Sequence, residues 1–123
     1  MLTLSPLKVK EEIKKIFTKK NIPYWEASGV VSAVCRNETL GHCLYNLTKT
    51  EMTILYIEPL NDVPLADGIL RSTLHVAAEK SIMNAFYTDT VPEKFLKTVD
   101  FIKSSEEKTL QIDKLFKSCC NCG

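Results

Sequence analysis

Residues 51–89 restrict what this chain can fold into more than any other stretch, because they read strand, loop, helix, strand. Residues 53–57 (TILYI) are β-branched, aliphatic and aromatic, the composition of a strand. Residues 58–64 hold two prolines and the pair Asn61-Asp62, which marks a loop. Residues 65–81 then carry an apolar stripe at three- and four-residue steps: Ala66, Ile69, Leu70, Thr73, Leu74, Ala77 and Ala78. Asp67, Arg71, Ser72, His75 and Glu79 fall on the other side. A second short apolar-aromatic run occupies residues 82–88. Two strands joined by a helix of this length pair in parallel through a right-handed crossover. The predicted unit is therefore a helix lying on a sheet.

The remaining segments extend that sheet. Ser5-Pro6 has the form of a helix start, with Ser5 as cap and Pro6 at the first helical position. Leu7, Val9, Ile13, Ile16 and Phe17 follow as one broad apolar side among lysines and glutamates, and Lys19-Lys20 closes the helix where cations suit its dipole. We read those lysines as a solvated face. Ile22-Pro23 ends the helix. Residues 29–35 predict a strand, 36–39 a turn, and 40–47 the antiparallel partner. After the crossover, residues 92–102 predict a short helix. Residues 109–116 alternate well enough for a last edge strand, with a helix as the competing assignment. The fold class is α/β (α+β), a single mixed β-sheet with flanking helices over residues 1–116, followed by a flexible cysteine-rich tail at 117–123.

Composition excludes several function classes. A 123-residue chain is expected to form one domain with a real core. Its net charge of +1 implies neither nucleic acid nor an anionic membrane as partner. No apolar run is long enough to cross a bilayer and residues 1–6 lack a signal-peptide pattern, so the expected location is cytoplasmic. Five cysteines, three of them crowded in Cys119, Cys120 and Cys122, do not form a secreted disulfide framework. The tail spacing departs from a structural zinc motif, so no metal site is assigned and a reactive-thiol tail is expected. His42 beside Cys43 is too short a ligand set for a metal or a thiol nucleophile, and Cys35 and Cys43 are expected to be buried. His75 falls in a charge ladder with Arg71 and Glu79.

The element order, from the first helix to residue 116, resembles the GNAT superfamily of N-acetyltransferases. The resemblance implies that acetyl-CoA or another acyl-CoA lies between the first parallel strand and the crossover helix. Backbone groups of Ile54, Leu55 and Ile57 would pair with its pantetheine arm. Its pyrophosphate would sit on amides of a Q/R-x-x-G-x-G/A loop, which falls on Asn61-Asp62-Val63-Pro64-Leu65-Ala66. The cofactor set implied is Asn61, Val63, Leu65, Ala66, Asp67 and Gly68 with the strand residues. Only Ala66 fits the motif. Proline at 64 removes an amide donor, and Asp62 and Asp67 bring negative charge, each like-charge pair costing roughly 4 kcal/mol at ~4 Å before screening.

The family's general base falls on Glu58, at the strand end, and its tyrosine acid is missing. Leu96 stands where that tyrosine would be and Asp100 where a glycine would follow, which leaves Tyr56 or Tyr87 as substitutes. Two readings follow from the resemblance. One is acyl transfer from acyl-CoA to an amine of a small molecule or protein, with Glu58 and Tyr56 catalytic. The other is an inactive domain of the same fold that binds a ligand or partner, with thiol or metal chemistry at the tail cysteines as an accessory. A homodimer through the sheet edges is compatible with both.

Overall fold

Strand-forming and helix-forming segments alternate so that one mixed sheet takes up most of the chain. The protein is described by a computed structural model over residues 2–113 and 115. Seven strands, β1 (Leu2–Pro6), β2 (Ser28–Cys35), β3 (Glu38–Leu47), β4 (Met52–Glu58), β5 (Ala85–Tyr87), β6 (Ile102–Ser104) and β7 (Thr109–Leu110), form one sheet in the order β1-β2-β3-β4-β5-β7-β6. Among the described residues three helices, α1 (Lys10–Lys19), α2 (Val63–Glu79) and α3 (Glu93–Thr98), cover it. The predicted parallel crossover is present, with β4 and β5 paired from Met52↔Ala85 to Ile54↔Tyr87 across α2. The other pairings are antiparallel. The β2–β3 hairpin turns through Arg36 and Asn37, both at positive φ (53° and 67°), as a two-residue turn between right-twisted strands requires.

The two faces carry separate cores. Ile13 and Phe17 of α1 pack with Val30 and Leu44 on one face, joined at the margin by Leu55 and Tyr56. On the other face Ala66, Ile69, Leu70, Leu74 and Ala77 of α2 pack with Met52, Ile54 and Ile57 of β4 and with Phe95 and Leu96 of α3. The α2 stripe read from the sequence is this buried side. A bulge explains how β4 serves both faces. Leu44 pairs with Tyr56 but Tyr45 pairs with Ile54, so Leu55 is an extra residue and the alternation shifts phase there. Ile54 and Ile57 therefore face α2, while Tyr56 and Glu58 face α1.

Several boundaries differ from expectation. Ser5-Pro6 does not start a helix: residues 2–6 are an edge strand paired with β2, and α1 begins at Lys10 after Val9, without a side-chain cap. Proline is tolerated there because an edge position needs no ladder donor from it. Leu7 packs beneath α1, and Val9 is exposed. The helix α2 starts at Val63, two residues earlier than expected, which puts Pro64 in its first turn. It stops at Glu79, where Ser81 at φ 62° returns the chain with Ser81 N–H to Ala78 C=O (2.9 Å) and Ile82 N–H to Ala77 C=O (2.9 Å). The strand expected over 82–88 shortens to β5. The helix expected over 92–102 ends at Thr98, because Asp100 at φ 62° makes the same kind of closure and Ile102 enters β6. The last strand is not at the edge, since β7 pairs with both β5 and β6. Residues 116–123, including the tail cysteines, lie outside the described residues. Cys43 is buried and Cys35 only half-buried.

Candidate functional site

The end of β4 gathers four polar side chains on the α1 face. Register places His42 of β3 directly opposite Glu58. Tyr56, two residues earlier on the same side of the strand, donates its hydroxyl to Glu58 Oε2 (3.2 Å). Lys20, at the C-terminal cap of α1, reaches over the sheet to Glu58 Oε1 (3.0 Å), with its ammonium 5.0 Å from the centre of the Tyr56 ring. His42 Nε2 lies 2.7 Å from Glu58 Oε1 but off the line of a hydrogen bond, so neither ring nitrogen has a hydrogen-bond partner among the described residues. We treat that approach as an electrostatic contact.

The charges in this cluster are coupled. Burial alone would raise the Glu58 carboxyl, but the hydrogen bond from Lys20, the charges of His42 and Lys20 and the Tyr56 hydroxyl together hold it below the usual carboxylate value. The hydrogen bond to Glu58 raises Lys20, against a smaller opposing effect of burial. Burial depresses His42 below its ordinary 6.5; Glu58 opposes this, and Lys20 and Lys19 reinforce it. At neutral pH the cluster is thus an ionised Glu58–Lys20 pair beside a neutral imidazole.

The sign of the pH dependence follows. Above 6.5 histidine is neutral both folded and unfolded; as pH falls through 6.5 the unfolded chain takes up a proton that folded His42 refuses, and stability is lost. Glu58 adds its own loss below 4.5, as pH approaches its depressed folded value. We expect stability to fall as pH drops from about 7 to about 5, by no more than about 1.4 kcal/mol per pH unit from this one group, and the slope to flatten in His42→Gln. Urea midpoints at several pH values test this, and an unchanged slope in the variant would refute it.

The other predicted residues spread around the far side of β4. Ile54 and Ile57 point into the α2 core, 0% and 2% exposed. The parallel ladder ends at Ile54, whose carbonyl accepts the Thr88 N–H (3.1 Å). The next carbonyl, of Leu55, accepts the Thr88 hydroxyl (3.3 Å) and the Thr90 hydroxyl. The chain's own loop therefore takes the acceptor that β4 presents just beyond the ladder. At the start of α2, Asp62 caps the helix and accepts the Leu65 N–H (3.2 Å), while its carbonyl accepts the Ala66 N–H (2.9 Å). Such a cap contributes about 1 kcal/mol. Pro64 has no N–H. Asn61 and Val63 are exposed, Ala66 is buried, Gly68 lies under Leu4, and Asp67 is held by Arg71 Nε at 3.2 Å to each carboxylate oxygen. Arg71 in turn stacks on Phe101. Between this helix start and α3 lies a pocket of about 220 Å³, lined by Leu60, Val63, Pro92, Lys94, Phe95 and Thr98.

Two late-helix residues are set by the resemblance against a tyrosine and a glycine. Asp100, standing for a glycine, adopts the positive φ that a glycine would adopt without strain. Leu96 is fully buried and supplies no acid. Tyr87 faces the α2 core; burial raises it, with Glu93 adding to the effect, and its hydroxyl has no partner among the described residues. It does not meet Glu58. Cys43 is pushed up to about 12 by burial and stays a thiol. His75 pairs with Glu79 (3.4 Å) on the surface, and Arg71 leaves that ladder for Asp67. Among the described residues no cluster of metal-ligating side chains exists and no helix is long and apolar enough to cross a membrane.

His42 and Lys20 were not among the sequence candidates. The available signal was strand alternation: with Cys43 on the buried side, His42 must face the other way, toward whatever follows the TILYI run across the ladder.

No protein-family model and no curated protein sequence matches the chain. Solved structures do. An Exiguobacterium protein assigned as an acetyltransferase superposes with a TM-score of 0.61 at 11% identity, over 97% of this chain and 98% of that one. Ribosomal-protein-alanine N-acetyltransferase from Brucella melitensis gives 0.58 at 11% identity, over 81% and 89%. An Escherichia coli protein assigned as an N-acetyltransferase, solved with bound coenzyme A, gives 0.56 at 14% identity, over 85% and 94%. The mixed seven-stranded sheet with its flanking helices is the GNAT fold.

Proposed function

We propose that this chain is a GNAT-fold binding module, formed as one domain by residues 1–116, that does not use acyl-CoA. The observation that carries this is the start of α2. A pyrophosphate there needs free amides, but Pro64 has none, the Leu65 amide is taken by the Asp62 carboxylate, and that carboxylate adds negative charge where phosphate would lie. The occupied Leu55 carbonyl weighs the same way against a pantetheine arm. The residues present do not fit the cofactor, and no chemical step is assigned to it.

A second reading, acyl transfer from acyl-CoA to an amine, is favoured by one observation, the Glu58 cluster at the strand end, where the resemblance would put a general base. Its electrostatics argue against that role. A general base works best with a pKa near the operating pH, and Glu58 is held low by Lys20 and His42. The four groups are better explained as a clamp between α1 and β4.

Thermal unfolding with coenzyme A tests the choice. Ligand at 100 times its dissociation constant would stabilise the fold by about 2.7 kcal/mol. We expect millimolar coenzyme A to leave the midpoint unchanged. A rise that grows with ligand concentration would restore the second reading.

A further inference from the structure

A surface concavity of about 620 Å³ is at the other end of the sheet from Glu58. It lies among the segment before β2, the end of β3 and the residues following α2, and it falls in the size range of small-molecule sites. Its apolar lining includes Leu47, Ile82 and Trp25, the only tryptophan in the chain, which is 50% exposed. The backbone that carries Trp25 is held by hydrogen bonds. Ser28 Oγ accepts the Trp25 N–H (3.0 Å) and donates to Asn46 Oδ1 (2.9 Å), while Trp25 C=O accepts the Ser28 N–H (2.9 Å). Lys49 and Lys80 also line the groove, and among the described residues neither is joined to a carboxylate. Glu26, next to Trp25 in the chain, is the one acid in the lining.

We propose that this groove binds a small amphipathic anion, a carboxylate or sulfonate on an aromatic or aliphatic body, with the body against Trp25, Leu47 and Ile82 and the charge held by Lys49 and Lys80. Two ammonium groups without a carboxylate partner among the described residues, beside an exposed indole on a hydrogen-bonded turn, select for that combination of charge and shape. This site is independent of the acyl-CoA question, since it shares no residue with the Glu58 cluster or the start of α2.

Trp25 reports directly on its own site. Titration with phenylbutyrate is expected to shift its emission to shorter wavelength and to saturate, as water leaves the indole. The neutral phenylbutanol should bind roughly three- to tenfold more weakly, the factor for two solvent-facing ion pairs. A Lys49→Gln/Lys80→Gln double variant, with its fold checked by circular dichroism, should lose that preference, whereas Lys94→Gln at the opposite end should keep it. Absence of a saturable shift at millimolar phenylbutyrate, equal binding of acid and alcohol, or a preference that survives in the double variant would overturn the proposal.

Discussion

Phe17→Ala is expected to cost about 3–5 kcal/mol, a large part of the 5–15 kcal/mol by which a domain is stable. Phe17 is fully buried and is the largest member of the small core between α1 and the sheet, where it meets the Tyr24 ring edge-on at 5.9 Å. Among the described residues Ile13, Val30 and Leu44 are buried with it, and the flanking Leu7, Ile16 and Tyr24 can close only part of the cavity. The loss should spread to the site, because α1 delivers Lys20 to Glu58. Urea unfolding measures it: the midpoint should drop with the slope unchanged. A loss below about 1 kcal/mol would mean that α1 contributes little to the folded state.

Gly41→Ala is the second large effect, about 1–3 kcal/mol or more, and it comes from overpacking rather than a cavity. A Cβ at residue 41 would overlap the Glu58 carbonyl oxygen and come within 2.6 Å of Pro59 Cδ, with Ile69 Cδ1 at 3.0 Å. Two of these three are not the free ends of flexible side chains, so β3 and the end of β4 must separate. His42, the next residue, would then be opened to water, which relieves the burial that depresses it. Besides the stability loss, the variant should show a weaker dependence of stability on pH in the range where His42 titrates. Wild-type stability in Gly41→Ala would show that the β3–β4 contact at Glu58 is slack.

The crossover was legible because a short β-branched and aromatic run and a helical stripe at three- and four-residue steps sit side by side with a proline-containing break between them. The hairpin was legible as two apolar runs on either side of a short polar turn. The first residues were not. Ser5-Pro6 satisfies the rules for a helix cap and for an edge strand equally well, and only pairing with β2 decides between them. Helix ends at Ser81 and Asp100 were read too late because both are non-glycine residues in the left-handed region, where sequence rules look for glycine.

At the candidate site, the sequence pointed to Glu58 and Tyr56, and the structure joins them. Lys20 completes the group through a helix-to-sheet contact that no local pattern encodes, and His42 through a strand register for which alternation gives the face but not the partner. Pro64, which lacks an amide donor, was visible in the sequence. That Asp62 takes the Leu65 amide became visible only when the helix was seen to begin at Val63.

The most direct test of the central claim is isothermal titration of the reduced protein with acetyl-CoA and with coenzyme A. The account predicts no binding heat from either at millimolar concentration. Micromolar binding of both, unchanged in Glu58→Gln, would contradict it, because some other set of amides would then have to cradle the phosphates that Pro64 and Asp62 are argued to exclude.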